Sequence, residues 1–212
     1  MASQKYNATR PEAETQPGSR GRVLRNLPGI TRVREMDATE ARALQTAMDR
    51  FVSQFDEQHL FTAANVRTMH RIWLGGIYEW AGEYHSVNMS KDGFPFATAA
   101  LIPDLMLKFQ KRVLSRLTPC RFERRQDVYE ALGEAHVELV LIHPFRDGNG
   151  RIARLLSILM ALQAGLPMLD FGTIAAKRKT EYFAAIQAGL DGNYEPMARI
   201  FEELIAKSGA GL

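Results

Sequence analysis

Apolar residues recur at the spacing of an α-helix along most of this 212-residue chain, and that period confines it to helices packed through their apolar faces. Ala41, Leu44, Met48, Phe51, Val52 and Phe55 share one face of a first helix, for which Asp37 is a candidate cap and Glu40, three residues on, its capping-box partner. Thr62 predicts a second cap ahead of Val66, Met69, Ile72, Trp73 and Ile77. Pro103 to Leu117 reads as a third helix, because Leu105, Met106, Phe109, Val113 and Leu114 lie on one side. Further helices are expected near 126–142, 149–165, 177–190 and 194–207, separated by glycines and prolines. The interval Gly82 to Phe96 breaks the period and holds Asp92-Gly93 between short runs, which predicts a β-hairpin. The expected fold class is all-α with one small hairpin.

At 46% apolar residues, a chain of this length can bury one substantial core, so residues 22–212 read as a single domain. Residues 1–21 are polar, contain two prolines and are expected to form a mobile N-terminal arm. The formal charge is only +3, with basic residues interspersed among acidic ones, which favours a phosphate or nucleotide site over a nucleic-acid binder. The lone Cys120 cannot form an internal disulfide and fits a reducing compartment. No stretch approaches the roughly 18–20 apolar residues of a membrane span. The first residues lack an apolar export segment. A cytoplasmic protein is expected, with delivery as an effector left open.

The chemistry is concentrated in His143-Pro144-Phe145-Arg146-Asp147-Gly148-Asn149-Gly150-Arg151-Ile152-Ala153-Arg154. Pro144 ends the helix before it and is expected to hold His143 extended, with the imidazole at a helix end. Gly148 and Gly150 permit a tight turn whose amides converge where the next helix begins, a ready anion site. Arg151 and Arg154, three apart, face one side of that helix and suit phosphate oxygens. Asp147 is a hard oxygen ligand beside the cradle, as Mg²⁺ held by carboxylate and substrate phosphates requires. An EF-hand is excluded by the missing alternating ligands and terminal glutamate, and a Walker loop by the missing Gly-Lys. A base, a metal ligand and a phosphate cradle within twelve residues point to phosphoryl or nucleotidyl transfer.

The same string resembles the signature of the Fic family, His-Pro-Phe-x-Asp/Glu-Gly-Asn-Gly-Arg-x-x-Arg, at every specified position. Trp80-Ala81-Gly82 and Val87-Asn88-Met89-Ser90-Lys91 look like the approach to that family's flap hairpin. Lys177-Arg178-Lys179-Thr180-Glu181-Tyr182 and Gly192-Asn193-Tyr194-Glu195-Pro196 look like its closing helices, so the resemblance covers roughly residues 30–207. It implies a Fic-type helical bundle that moves AMP from Mg-ATP onto a hydroxyl of a target protein. His143 would be the base and Asp147 the Mg²⁺ ligand. Gly148, Asn149 and Gly150 would form the anion hole, and Arg151 and Arg154 would hold the β- and γ-phosphates. Pro144 and Phe145 would be structural. Ser90, Lys91, Asp92, Gly93 and Phe94 would form the flap that pairs with an extended target segment.

With Gly150 followed by Arg151, the chain resembles the AMP-transferring group rather than the Doc kinases, where the equivalent place carries lysine. A Doc-like kinase, transfer of a different nucleotide and a non-enzymatic nucleotide-binding module stand as alternatives. The family's inhibitory Ser/Thr-x-x-x-Glu-Gly/Asn string is missing. Thr31 to Glu35 and Ser53 to Glu57 have the spacing, but Met36 and Gln58 follow them. One of these strings is then a degenerate inhibitor, or a separate antitoxin-like protein supplies the glutamate, or the enzyme is unrestrained; of these, the separate protein is the expected source of restraint.

Overall fold

The computed structural model describes Glu12 and residues 14–91, 93–172 and 178–209. Seven helices account for most of these residues. They are α1 (Val33–Gln54), α2 (Ala63–Leu74), α3 (Ile102–Phe109), α4 (Arg125–Ile142), α5 (Asn149–Gln163), α6 (Lys179–Ala188) and α7 (Glu195–Gly209). Helix α3 carries Pro103 in its first turn, where a missing amide hydrogen costs nothing, and runs on through a π-helical turn (Gln110–Leu114) to Leu117. The strands β1 (Ser90–Lys91) and β2 (Phe94–Pro95) pair antiparallel, Ser90 opposite Pro95 and Lys91 opposite Phe94. Gly93 supplies the turn with φ of 82°. Asp92 and Lys177 lie outside the described residues.

Helix α4 is the axis of the bundle. It is buried on nearly every side, from Val128 through Ile142, with α5 and α7 packed along it. Gly133 makes the α4–α7 approach feasible, since a Cβ there would sit 2.9 Å from the Ala198 amide nitrogen. Helix α5 is equally apolar, with Ile152, Ala153, Leu155, Leu156 and Met160 all buried. The candidate site lies at the loop that joins the C-terminus of α4 to the N-terminus of α5. No helix among the described residues is long and apolar enough to cross a membrane.

One sequence expectation about the helix caps changes. Thr62 and Asn65 do form a capping box at α2, Thr62 Oγ1 accepting from the Asn65 amide at 3.1 Å and Asn65 Oδ1 from the Thr62 amide at 2.9 Å. Asp37 and Glu40 do not form one. Helix α1 already begins at Val33, Asp37 lies inside it, and Glu40 is buried in mid-helix because a tertiary ion pair claims its carboxylate. Part of the stretch expected to be a mobile arm, residues 14–21, makes contacts with the segment that follows it. Gln16 N donates to Val23 O at 2.8 Å and Arg25 N to Glu14 O at 2.9 Å, while Ser19 is buried. Arg146 Nε donates to Glu12 O at 2.9 Å, which ties this segment to the motif loop. Its backbone groups find partners in a tight reversal of chain, so sparse apolar content did not leave it unpacked. The rest of the arm, residues 1–11 and 13, lies outside the described residues.

Candidate functional site

The motif begins where α4 ends. His143 occupies the C-terminal cap in the left-handed conformation, φ 55° and ψ 53°, and its amide donates to Leu139 O at 3.1 Å. It is therefore not extended. Pro144 bars the right-handed helical region for the residue before it, and a left-handed cap completes one more backbone bond. A non-glycine residue pays about 1–2 kcal/mol for that conformation. The imidazole is 7% exposed, and its Nδ1 lies 3.2 Å from Val140 O. A carbonyl only accepts, so Nδ1 carries the hydrogen and the lone pair is on Nε2. Burial pushes the His143 pKa down to about 3, against the opposing pull of the Val140 carbonyl, so the ring is neutral at neutral pH. The Phe96 ring stacks on it face to face, centroids 3.5 Å apart and planes 14° from parallel.

Phe145 is fully buried beneath the loop and stacks on His70 of α2 at 3.9 Å. Asn149 closes the loop from inside: its Oδ1 accepts from the Phe145 amide at 2.8 Å and its Nδ2 donates to Phe145 O at 2.6 Å. Its side chain thus builds the cradle, and only its backbone can face an anion. Gly148 has φ of 82°, and a Cβ there would lie 2.7 Å from the Trp73 ring, so no other residue fits. The first helical bonds of α5 are made onto Gly148 O by the Arg151 and Ile152 amides. The Asn149 and Gly150 amides precede them at the positive end of a 15-residue helix.

Asp147 Oδ1 accepts from the Gly148 amide at 2.6 Å and lies 3.7 Å from Arg151 Nη2. No group of three or more metal-ligating side chains exists among the described residues. A single carboxylate fits Mg²⁺ that arrives with a nucleotide and takes its remaining ligands from phosphate and water. Arg151 and Arg154 diverge. Arg151 lies 4.5 Å over the Trp73 ring and makes an ion pair with Glu40 of α1. The guanidinium of Arg154 folds back over Gly150, where a Cβ would be 3.8 Å from its Nη2, and lies 6.0 Å from the Phe171 ring.

Of the flap residues, Ser90 and Gly93 are exposed and Lys91 and Phe94 half-buried. The residue that reaches the motif is Phe96, two positions beyond β2's first residue, which sequence reasoning did not select. Ring edges connect Phe94 to Phe96 at 5.6 Å, so the hairpin and His143 are mechanically linked. The His85 amide donates to Pro144 O at 3.0 Å and pins the approach to the hairpin against the motif.

Sequence reasoning also missed His70 and Glu40. His70 accepts from the Gly82 amide on Nδ1 at 2.8 Å, so Nε2 carries the hydrogen that bonds Asp147 O at 3.1 Å. Burial lowers its pKa to about 4. Its position four after Val66, on the apolar stripe of α2, was the available signal. Glu40 carried none, since it looks like a surface residue near a helix start. A cavity of about 590 Å³ lined by Glu12, Glu14, Arg25, Trp80 and Ser86 contains no motif residue.

Residues 60–161 match the model of the Fic/DOC family. A curated relative from Sinorhizobium fredii, the probable protein adenylyltransferase y4lH, is 25% identical over 205 residues, which are 95% of this chain and 99% of that protein. The protein adenylyltransferase fic-1 of Caenorhabditis briggsae is 38% identical over 73 residues, 34% of this chain. The chain spans only 14% of that nematode protein's length and 30% of the length of the Bartonella schoenbuchensis adenylyltransferase VbhT. Among solved structures, the N-terminal Fic domain of a VirB-translocated Bep effector from Bartonella quintana, with bound ADP, superposes with a TM-score of 0.69. It is 28% identical, over 85% of this chain and 89% of that one.

Proposed function

We propose that this chain, whose residues 60–161 match the Fic/DOC family model, is a protein adenylyltransferase, moving AMP from Mg-ATP onto a hydroxyl side chain of a target protein. The observation that carries this reading is one junction. The neutral His143 ring, a glycine loop at the start of α5, Asp147 and Arg154 all belong to the same turn of chain. The S. fredii, nematode and VbhT relatives bear adenylyltransferase names, which supports it.

In this reading Nε2 of His143 takes the proton of the target hydroxyl as its oxygen attacks the α-phosphorus. The new O–P bond forms as the bond between the α-phosphorus and the bridging oxygen breaks, and the electron pair leaves with pyrophosphate. The Asn149 and Gly150 amides and the α5 terminus hold the phosphates. Asp147 would hold Mg²⁺ together with those phosphates, and the ion when bound supplies neutralisation of the charge on the departing group. Arg154 holds the distal phosphates. The hairpin β1–β2 pairs with an extended segment of the target.

Restraint by a separate antitoxin-like protein belongs to the same proposal. The carboxylates of the two candidate inhibitory strings are engaged elsewhere or exposed, Glu57 lying 3.7 Å from Arg121 and Glu35 on the α1 surface. A cytoplasmic site of action is proposed, with effector delivery as for the VirB-translocated Bartonella neighbours.

The test is incubation with a cell lysate and ATP labelled at the α or the γ position. Label from the α position on a protein band, lost in His143→Ala, is the expected result. Label from γ alone would make the chain a kinase, and ATP binding without any transfer would make it a binding module.

A further inference from the structure

Asp147 is the only carboxylate between His143 and Arg154, and a guanidinium of the chain itself stands beside it. Arg151 Nη2 lies 3.7 Å from Asp147 Oδ1, close enough for the charges to attract but beyond the reach of a hydrogen bond. What holds it at that distance is Glu40. Arg151 Nη1 donates to Glu40 Oε2, and Glu40 Oε1 accepts from the Tyr78 hydroxyl at 2.6 Å. The Glu40 side chain is 6% exposed against 16% for Asp147, so its attraction for the guanidinium is the less screened of the two. Its place is fixed from several sides. The Trp73 indole donates to Glu40 O at 2.9 Å, the guanidinium lies 4.5 Å over the Trp73 ring, and the Tyr78 ring stacks on Trp80 at 4.5 Å. Two carboxylates thus compete for one arginine, and the packing of α1 against α2 and α5 decides for Glu40. Without the Glu40 charge the guanidinium would be left half-buried and unbalanced, and Asp147 is the other carboxylate within 4 Å of it among the described residues.

We propose that Glu40 is a positioning residue for the metal carboxylate: by engaging Arg151 it keeps that guanidinium from closing on Asp147, which stays available to Mg²⁺ arriving with ATP. The inference rests on the assignment of Asp147 to the metal. A direct Arg151–Asp147 pair and a divalent cation compete for the same carboxylate, so whatever weakens the first favours the second. Glu40 also neutralises the guanidinium, and a cation brought to Asp147 therefore does not meet an unbalanced positive charge beside it.

Glu40→Gln removes the charge and keeps an oxygen for the Tyr78 hydroxyl. Calorimetric titration with ATP, with and without Mg²⁺ and at a temperature where circular dichroism shows each variant folded, tests the proposal without any turnover. The quantity read is the factor by which Mg²⁺ tightens ATP binding. In Glu40→Gln that factor is expected to fall about tenfold, as when a metal ligand loses its supporting residue, with metal-free ATP affinity unchanged. Removing the guanidinium as well, in the double variant Glu40→Gln with Arg151→Met, is expected to restore the factor, because the competitor for Asp147 is gone. Tyr78→Phe, which loosens Glu40 and leaves its charge, is expected to lower the factor by less. An unchanged factor in Glu40→Gln, or in Tyr78→Phe should the first variant not fold, would overturn the positioning role. So would an equal loss of ATP affinity with and without the metal, or no recovery in the double variant. If Asp147→Asn abolishes the factor and Glu40→Gln does not alter it, the proposal falls while the metal assignment stands. If Asp147→Asn leaves the factor intact, the metal assignment itself falls.

Discussion

Glu40, in the middle of α1, closes an ion pair on Arg151 of α5, 111 positions further along the chain, and its other carboxylate oxygen accepts from the Tyr78 hydroxyl at 2.6 Å. The first motif arginine is thus held by the protein itself, with Trp73 as the floor beneath it and the Trp73 indole donating to Glu40 O at 2.9 Å. Removing one partner of a buried pair is costly, but the Arg151 side chain is 31% exposed and water recovers part of the loss. Glu40→Ala is expected to lower stability by about 1–3 kcal/mol, and Glu40→Gln, which can still bond Tyr78, by less. Urea unfolding measures both. Equal midpoints for Glu40→Ala and the unaltered protein would show that the pair contributes nothing to the fold.

Four buried histidines, His70, His85, His136 and His143, all shifted below the ordinary value by burial, are expected to make the fold acid-sensitive. Desolvation holds His70 near a pKa of about 4 and His136 and His143 near about 3, below the ordinary value of 6.5. Between those values the unfolded chain binds protons that the folded chain does not, so stability falls as pH drops below about 6.5. Each fully uncompensated histidine steepens the fall by about 1.4 kcal/mol per pH unit. Unfolding free energies at pH 7, 6 and 5 are expected to decrease at every step, and His136→Asn is expected to flatten the slope. A flat profile over this range would contradict the buried neutral assignments.

Phe96 is expected to gate access to the base. Phe96→Ala removes the ring stacked on His143 at 3.5 Å. Site-resolved mass spectrometry after treatment with a histidine-acylating reagent is expected to show faster modification of His143 in this variant, with His136 unchanged as the internal control. An unchanged rate at His143 would mean that something other than Phe96 covers the ring.

Asp147→Asn keeps the side-chain oxygen that the Gly148 amide bonds and loses the charge. Adenylyl transfer is expected to fall to background across a Mg²⁺ titration, while ATP binding measured without metal changes little. The magnitude follows from the several kcal/mol that a bound divalent cation contributes to charge stabilisation. Undiminished transfer with the same Mg²⁺ dependence would remove Asp147 from the metal site.

What the sequence determined by itself was whatever depends on neighbours along the chain. The helical period placed α2, α4, α5 and α7 close to their observed bounds, because it records which face of each helix must be buried. The Thr62 cap and the Gly93 turn are local hydrogen-bond and φ requirements, and both were legible for that reason. The motif from His143 to Arg154 was equally legible, since its parts serve one turn of chain.

Only the tertiary structure decided how the remaining side chains are used. Asp37 and Glu40 have the spacing of a capping box, yet a half-buried arginine 111 residues away claimed Glu40. His143 was expected to be extended, but closing α4 against the loop favours a left-handed cap. The predicted hairpin interval runs to Phe96 but the flap residues singled out from it end at Phe94, whereas the ring on His143 is Phe96, a contact set by how the hairpin folds over the bundle. The hydrogen bonds of His136 with Tyr182 and Ser157 join three helices, and no spacing within any one of them announces them. Burial supplies the reason in each case. A polar group removed from water takes the partner that packing brings to it, and packing is decided by the whole chain.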